Sequence, residues 1–477
     1  MVHFGTGGWR AVIGDEFTRA NIQLLARAMS EKMKQEHVEE EGIVIGYDRR
    51  FLSKEAVKWA CEVFAAQKIR VLFVNRSSPT PLIMFYVEKH QMHYGMMVTA
   101  SHNPAIYNGF KVFTYGGRDA KEEQTQEIEA YAAKIEASGE KIAWMDYEEA
   151  RAAGWVKEFN PINEYLDNII ANINMQAIRD RGLHIVLDPM YGVSQIAMKT
   201  ILSTARCEID LIHEAHDTLF GRRMPAPSEG ALTELCTYVR EMECDLGIAT
   251  DGDADRIGVV DDTGHYLHAN DILVLLYYYL LKYKGWRGPA VRNVATTHVL
   301  DRMAESFGET CYEVPVGFKH ISAKMQETGA IIGGESSGGL TVRGHINGKD
   351  GIYAASLLVE MVAVTGKRLS DLAREIGEVY GHSYMEERSY KFTAQRKEEL
   401  KQLLFEEKQL PEFDEEVERV SYLDGAKVYF KNGGWIIARF SGTEPLLRIF
   451  CEMDSREAAA WQCRKFENLL QLQYRPA

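Results

Sequence analysis

The sequence lacks any apolar run long enough to cross a bilayer. Its longest uninterrupted apolar stretch covers residues 272–281, whereas a membrane-spanning helix needs about 20 residues. The first residues also lack the charged and apolar segments of a secretory signal peptide. We therefore expect a cytoplasmic protein that has no membrane as a partner.

Paired cysteines are also missing. The chain has 7 cysteines, an odd number, and none of them forms a C-x-x-C pair. In a chain of this length such cysteines are typical of buried thiols in a reducing compartment. This pattern agrees with the cytoplasmic expectation.

The chain has no excess of positive charge. It contains 55 Lys and Arg against 69 Asp and Glu, for a net charge of -14. This balance argues against general binding to nucleic acid or to membrane surfaces. It does not exclude small anionic substrates, because a few local cations outweigh a distant acidic surface that salt screens.

The order of predicted elements indicates an α/β protein. Strand-like segments alternate with helix-like segments, which predicts parallel or mixed sheets covered by helices. The predicted strands lie at residues 43–47, 69–74, 96–99, 184–187, 246–249, 291–295 and 330–332. The first clear helix is predicted to begin at Ser53, as its N-cap, and to end near residue 67.

The 477 residues predict three or four domains. Three α/β units are expected at 1–153, 154–256 and 257–375, and a smaller α+β domain at 376–477. In the last domain an Asn-Gly pair between residues 428–430 and 435–440 predicts a β-hairpin. Since α/β proteins bind ligands in the loops that follow their strands, these loops bear on function.

Ser101 lies in one such loop, within Thr-Ala-Ser-His-Asn-Pro at residues 99–104. A serine here is either a nucleophile or phosphoryl carrier, or a residue that closes a turn before Asn103 and Pro104. Turn serines are common, so this loop taken alone favours the turn.

Three carboxylates, those of Asp251, Asp253 and Asp255, follow another predicted strand. Residues two apart in an extended segment face the same side, and a divalent cation such as Mg²⁺ relieves their repulsion. The loop does not match a calcium-binding EF-hand, which also begins with alternating aspartates. An EF-hand needs glycine where this loop has Arg256 and glutamate where it has Asp262. The alternative to a magnesium site is a solvated acidic turn.

Two further loops have the chemistry of sugar and phosphate binding. Residues 333–339 place Glu335 and neighbouring hydroxyls among glycines, which suits adjacent sugar hydroxyls; the alternative is a glycine-rich connection with a surface glutamate. Residues 439–445 combine Arg439, two hydroxyls and backbone N–H groups, which suits a phosphate. The alternative interpretation of residues 439–445 is a tight turn with Arg439 in a surface ion pair.

These four loops in this order resemble the α-D-phosphohexomutases, the phosphoglucomutase/phosphomannomutase family. The resemblance runs from Phe-Gly-Thr-Gly-Gly-Trp-Arg at residues 4–10 to the loop at Ser441. It implies three related α/β domains with mixed sheets and a smaller α+β C-terminal domain around a central cleft. It also favours the phosphoryl-carrier interpretation of Ser101 over the turn.

The resemblance implies roles for specific residues. The implied metal ligands for Mg²⁺ are Ser101, through its phosphate, Asp251, Asp253 and Asp255. The implied catalytic residues are Ser101, Arg256, Lys111, Arg10 and His102. The implied substrate-binding residues are Gly317, Phe318, Lys319, Glu335, Ser337, Arg439, Ser441, Gly442 and Thr443.

The proton-transfer role stays open among these residues. Lys111 and Arg10 both match positions of proton transfer or charge stabilisation, and Lys111 is favoured because an arginine base needs an unusual environment. His102 either assists or orders the loop through a hydrogen bond.

The implied reaction interconverts hexose 1-phosphate and hexose 6-phosphate through a phosphoserine and a hexose 1,6-bisphosphate, which is intermediate and activator. Residues 314–320, Val-Pro-Val-Gly-Phe-Lys-His, resemble the Gly-aromatic-Lys form of glucose-preferring members, so Phe318 favours glucose phosphate. The alternatives are mannose or glucosamine phosphate as substrate, or a metal-dependent sugar phosphatase. The sequence predicts no oligomeric state.

Overall fold

The computed structural model describes residues 2–5, 7–441 and 446–472. The chain forms two compact units. The first contains the residues up to Tyr279 together with Ser337–Ser370, and the second contains Leu280–Ser336 together with the residues from Asp371 onward. All seven cysteines are free thiols. Across the described ranges, no helix has the length and apolar character needed to cross a membrane.

An eight-stranded mixed sheet forms the core of the first α/β domain, in the first unit. Its strands are β1 (Phe4–Gly5), β2 (Gly8–Val12), β3 (Ile43–Tyr47), β4 (Val71–Val74), β5 (Tyr94–Val98), β6 (Tyr107–Thr114), β7 (Arg118–Asp119) and β8 (Val156–Phe159). Its helices are α1 (Arg19–Gln35), α2 (Ser53–Ala66), α3 (Thr80–Lys89), α4 (Glu122–Ser138) and α5 (Tyr147–Ala152). The strand order is β1-β2-β6-β5-β3-β4-β8, with β7 beside β6.

Strands β3 and β5 lie side by side and parallel in this sheet. Both are apolar and buried along their whole length, as expected for strands covered on both faces. Their carboxyl ends, and the loops that follow them, therefore meet at one edge of the sheet.

The prediction that Ser53 caps α2 is wrong. The N-cap is Leu52, which has a φ of 63°, and its side chain makes no capping hydrogen bond. The hydroxyl of Ser53 instead donates to Asp48 Oδ1 at 2.9 Å and accepts from Asn108 Nδ2 at 2.9 Å. The nearby Asp48 and the distant Asn108 therefore take the place of a capping bond.

A five-stranded sheet follows in the same unit. Its strands are β9 (His184–Asp188), β10 (Glu208–Leu211), β11 (Leu246–Thr250), β12 (Ile257–Val260) and β13 (Tyr266–Leu267). Its helices are α6 (Ile162–Asn172), α7 (Met175–Arg181), α8 (Gln195–Thr204) and α9 (Thr233–Glu241). The order is β10-β9-β11-β12-β13, and β12 runs antiparallel to β11. The acidic segment forms the tight connection between these two strands.

The next part of the chain contributes to both units. It contains α10 (Ala269–Lys282), β14 (Ala290–Asn293), α11 (Val299–Ser306), β15 (Cys311–Val314), α12 (Phe318–Thr328), β16 (Ile332–Gly334), β17 (Leu340–Val342), α13 (Gly351–Thr365) and α14 (Leu369–Tyr380). In the second unit β14 pairs in parallel with β15 and β16. In the first unit α13 packs against α7 and α8 and is buried along most of its length. Its side chains are apolar on all sides, as expected for a buried helix.

The C-terminal domain is a five-stranded antiparallel sheet in the second unit. It comprises β18 (Tyr384–Lys391), α15 (Ala394–Lys401), β19 (Val417–Ser421), β20 (Ala426–Phe430), β21 (Trp435–Phe440), β22 (Leu446–Met453) and α16 (Arg456–Leu470). The order is β18-β22-β21-β20-β19. The predicted hairpin is confirmed as β20 and β21. The predicted fold class, three α/β domains and a smaller α+β domain, is also confirmed.

Candidate active site

Ser101 lies in the loop after β5 and is completely buried. Its φ of 50° is in the left-handed region, which residues other than glycine seldom adopt and which is common at functional sites. Its backbone N–H donates to Thr99 Oγ1 at 2.8 Å, and its hydroxyl donates to Asp251 Oδ2 at 2.8 Å. The fold thus presents the serine oxygen directly to the acidic segment.

Arg50 holds the serine loop in this conformation. Its guanidinium donates to four backbone carbonyls of the loop at 2.6–2.9 Å, those of Ser101, Asn103, Pro104 and Tyr107. A guanidinium suits this task because its five N–H groups lie in one rigid plane.

Asp48, directly after β3, supports the same loop. Its carboxylate accepts from Thr99 Oγ1 at 2.6 Å and from the Arg50 N–H at 2.9 Å. Burial raises the pKa of Asp48, and the charge of Arg50 opposes that rise. Neither residue was among those predicted from the sequence. Their signal was a run of charged residues directly after a fully apolar strand.

The three aspartates form one buried cluster. Asp251, Asp253 and Asp255 are at most 1% exposed, and each offers a carboxylate oxygen within 4.8 Å of the others. Among the described residues, the Oδ1 atoms of Asp253 and Asp255 are buried without a hydrogen-bond partner. Unpartnered anionic oxygens from three converging carboxylates fit a hard divalent cation such as Mg²⁺.

The electrostatics of the cluster agree with a cation site. Burial, and then the charges of Asp253 and Asp255, raise the pKa of Asp251 well above its usual range. Although burial opposes it, Lys111 and Lys349 lower the pKa of Asp255. The three carboxylates therefore disfavour one another's charge, and a bound cation would be needed to keep all three ionised.

Lys111 supplies part of that charge from β6. Its ammonium donates to Asp253 Oδ2 at 2.7 Å and to Asp255 Oδ2 at 2.6 Å. Burial opposes its charge, but the two carboxylates outweigh burial and raise the pKa of Lys111. Lys111 is therefore a cation in this arrangement.

Arg10, His102 and Arg256 lie near the same cluster. Burial, and next the charge of Arg256, lower the pKa of Arg10. The charge of Arg256, and next burial, lower the pKa of His102 well below its usual range, so its imidazole is neutral at pH 7. The His102 Nδ1 atom lies 3.4 Å from Ser101 Oγ.

Lys349 is a further cation beside the cluster and was not predicted from the sequence. Its ammonium lies 3.0 Å from Asp255 Oδ2. A Cβ at Gly339 would lie 2.2 Å from the Lys349 side chain, and a Cβ at Gly351 would lie 2.6 Å from the Arg256 carbonyl oxygen. The approach to the Arg256 backbone requires glycine at 351. In the sequence Lys349 lies between Gly348 and Gly351, and this was the available signal.

The predicted sugar-binding residues fall in both units. In the second unit, Glu335 Oε1 accepts from Asn293 Nδ2 and from the Gly317 N–H, each at 3.1 Å. Ser337 belongs to the first unit. Phe318 begins α12 and is 6% exposed, packed in an apolar cluster with Val291.

The predicted phosphate loop is described only in part. Arg439 Nε donates to Asp424 Oδ2 at 2.9 Å, and the Ser441 carbonyl accepts from Lys397 Nζ at 2.9 Å. The predicted residues Gly442 and Thr443 lie outside the described residues.

Four family models match the chain, one for each part of the fold. They are phosphoglucomutase/phosphomannomutase alpha/beta/alpha domain I over residues 1–139, domain II over 163–264, domain III over 268–380, and the C-terminal domain over 395–469. Together they follow the chain from its first sheet to its last helix.

Curated relatives match over nearly the whole chain. A probable phosphoglucosamine mutase of Methanopyrus kandleri is 30% identical over 459 residues, covering 96% of this chain and 95% of its own. A phosphoglucomutase/phosphomannomutase of Thermococcus kodakarensis is 28% identical over 457 residues, covering 96% and 95%.

Solved structures share the fold. A phosphoglucomutase/phosphomannomutase family protein from Burkholderia thailandensis superposes with a TM-score of 0.82 at 22% identity, covering 99% of this chain and 100% of that chain. At this identity the match supports the architecture alone.

Proposed function

Since this chain belongs to the phosphoglucomutase/phosphomannomutase family, whose members are mutase isomerases acting on hexose phosphates, we propose that it interconverts glucose 1-phosphate and glucose 6-phosphate. Ser101 is the proposed phosphoryl carrier. The observation that carries the proposal is the buried Ser101 hydroxyl, 2.8 Å from a carboxylate of the aspartate cluster.

The proposed step moves one phosphoryl group from phosphorylated Ser101 to the free hydroxyl of the sugar phosphate. The bond between phosphorus and Ser101 Oγ breaks as the sugar oxygen bonds to phosphorus. The sugar hydroxyl gives its proton to a base, and Ser101 Oγ regains a proton. The resulting 1,6-bisphosphate returns its other phosphoryl group to Ser101 by the reverse of the same step.

The aspartate cluster would hold Mg²⁺. When bound there, the ion would act as a Lewis acid that withdraws charge from the transferring group. The ligands would be Asp251, Asp253 and Asp255 with an oxygen on Ser101. Mg²⁺ and the hexose 1,6-bisphosphate activator are both parts of this proposal.

The cations around the cluster suit phosphoryl transfer, because its transition state spreads negative charge over three oxygens and catalysis is mainly positioning and electrostatics. Lys111 already donates to two carboxylates, so its geometry favours charge stabilisation over proton acceptance. Arg256 and Arg10 add positive charge close to His102. His102, beside Ser101 Oγ, is the residue placed to exchange a proton there.

The glucose preference rests on the turn at residues 314–320. The Phe318 ring is packed in the protein core, so we expect it to act by setting the shape of the turn and not by stacking on the sugar. The names of the curated relatives favour two alternatives, glucosamine phosphate and mannose phosphate.

A comparison of kcat/KM for the 1-phosphates of glucose, mannose and glucosamine, with Mg²⁺ and the matching bisphosphate supplied, tests the proposal. We expect conversion of all accepted sugars to their 6-phosphates and the highest value for glucose. A value for mannose or glucosamine equal to that for glucose would refute the preference. Release of inorganic phosphate without any glucose 6-phosphate would instead identify a phosphatase.

A further inference from the structure

Two adjacent backbone amides hold the turn before α12, and we call residues 316 and 317 the recognition turn. The Val316 N–H donates to Asp424 Oδ2 at 2.7 Å, and the Gly317 N–H donates to Glu335 Oε1 at 3.1 Å. Gly317 has a φ of 126°, which favours glycine. The position of this turn thus depends on two carboxylates from distant parts of the sequence.

The same oxygen of Asp424 also binds Arg439. Its Oδ2 accepts from Arg439 Nε at 2.9 Å, and the two side chains are only 23% and 20% exposed. This bond uses Nε and orients the guanidinium plane, while the two Nη groups retain the donor capacity that suits an anion. One carboxylate oxygen therefore joins the recognition turn to the arginine of the proposed phosphate loop.

The backbone at Asp424 is built for this position. The next residue, Gly425, has a φ of 117°. A Cβ there would lie 2.8 Å from the Ala438 carbonyl oxygen and 3.1 Å from Arg439 Cβ. Only glycine allows the chain to approach β21 so closely, and this approach brings Asp424 beside Arg439.

Buried contacts of Lys427 join the same two segments. Lys427, on β20, donates to Glu313 Oε2 on β15 and to the Val294 carbonyl oxygen, each at 2.7 Å. Glu313 lies three residues before Val316, and Lys427 lies three residues after Asp424. The two segments that Asp424 joins are thus also tied together in the interior.

We propose that Asp424 is a positioning residue that couples phosphate binding to sugar discrimination. It orients the Arg439 guanidinium for the phosphate that does not react, and through the Val316 amide it sets the turn that reads the sugar. This inference rests on the proposed function, because it assigns a phosphate to Arg439 and a sugar to the turn.

Steady-state kinetics of Asp424→Ala test the coupling. We expect KM for the preferred hexose 1-phosphate to rise about tenfold, as expected for loss of a charge-assisted hydrogen bond, with a smaller change in kcat. The ratio of kcat/KM between the preferred sugar and the next best should fall several-fold. A merely structural role would lower stability and kcat without changing this ratio.

Matched variants separate the effect of Asp424 on Arg439 from its effect on the Val316 amide. Asp424→Asn keeps an acceptor for the Val316 amide, so we expect KM to rise while most of the sugar ratio is retained. In an Arg439→Ala background, Asp424→Ala should no longer weaken competitive inhibition by inorganic phosphate but should still reduce the sugar ratio. The control is Asp414→Ala, which removes a carboxylate paired with Lys465 and should leave both values unchanged.

The results that would overturn the role of Asp424 differ from those that would overturn the proposed function. A folded and active Asp424→Ala protein with KM and sugar ratio within twofold of wild type would overturn it while leaving the proposed function intact. If Asp424→Ala does not fold, an unchanged KM in Asp424→Asn overturns it equally. Absence of mutase turnover in the wild-type protein would overturn the proposed function, and the coupling with it.

Discussion

At residue 101 the backbone conformation and the side-chain hydrogen bond both bear on the position of the serine hydroxyl. The left-handed φ turns the serine hydroxyl toward Asp251, and four carbonyl contacts from Arg50 keep it there. A left-handed conformation of a residue other than glycine costs about 1–3 kcal/mol, and the Arg50 contacts to the loop carbonyls offset that cost here. The hydrogen bond of the buried hydroxyl to Asp251, more than the conformation, agrees with the phosphoryl-carrier interpretation.

Replacement of this serine should separate chemistry from folding. We expect Ser101→Ala to reduce turnover at least 1,000-fold, since the phosphoryl acceptor is lost and binding alone supplies little rate. The melting temperature should change by only a few degrees, because a single hydrogen bond contributes about 1 kcal/mol. Near-normal turnover would rule out the carrier role. The exposed Ser203→Ala on α8 is the control and should match wild type.

Removal of divalent metal should affect both activity and stability. We expect a chelator to abolish turnover and to lower the melting temperature, because an ion that binds only the folded protein stabilises it by mass action. Added Mg²⁺ should restore both. In Asp253→Asn the stabilisation by Mg²⁺ should be reduced, and in the surface variant Asp414→Asn it should be retained. A melting temperature that does not respond to Mg²⁺ would contradict the assignment of the cluster as its site.

At the scale of elements, the proposed catalytic groups come from the ends of strands that the sheets place together. The loops after β3 and β5 share one edge of the first sheet, and the connection from β11 to β12 brings the aspartates to Ser101. Helix α13 supports this connection, since the Gly351 N–H donates to the Ala254 carbonyl oxygen at 3.1 Å. Elements far apart in sequence therefore build one site.

Helix α3 should make stability depend on pH through Glu88. Burial raises the pKa of Glu88 from 4.5 to about 7, although Arg118 and Asn347 oppose the rise. Between these values the folded protein keeps a proton that the unfolded chain has released. The free energy of unfolding should therefore decrease as pH rises from about 4.5 to about 7, by about 1–2 kcal/mol after allowance for partial exposure.

Denaturant unfolding of wild type and Glu88→Gln across pH 4.5–8 measures this effect. Glutamine preserves the shape and the hydrogen bond from Asn347 Nδ2 and removes the titration. The difference between the two proteins should grow through this range and level off above pH 7. Parallel curves for the two proteins would show that the Glu88 carboxyl is not perturbed.

At the scale of the molecule, each compact unit is assembled from separated parts of the chain. In the second unit the C-terminal sheet is joined to the parallel strands through Lys427, which is 1% exposed and contacts Glu313. Arg292 also contacts Glu313, at 2.6 Å. This buried network determines how the C-terminal domain is attached within its unit.

Loss of Lys427 should loosen that attachment. We expect Lys427→Met to lower the free energy of unfolding by about 2–3 kcal/mol, less than for a fully isolated buried charge because Arg292 still pairs with Glu313. Residues after 384 should become more sensitive to chymotrypsin. Lys431→Met, in the same hairpin but exposed and paired with Glu416, should change stability by less than 0.5 kcal/mol. Equal stability of the two variants would show that the network contributes little.

The sequence by itself determined the α/β class and the hairpin of β20 and β21, because periodicity and residue type act over short stretches of chain. The buried cluster of Asp251, Asp253 and Asp255 was predictable for the same reason. Only the tertiary structure decided which residues support the loops of the candidate site. Lys349, Asp424 and the Ser53 hydroxyl find partners far away in sequence, so no local pattern distinguishes them from surface charges or helix caps.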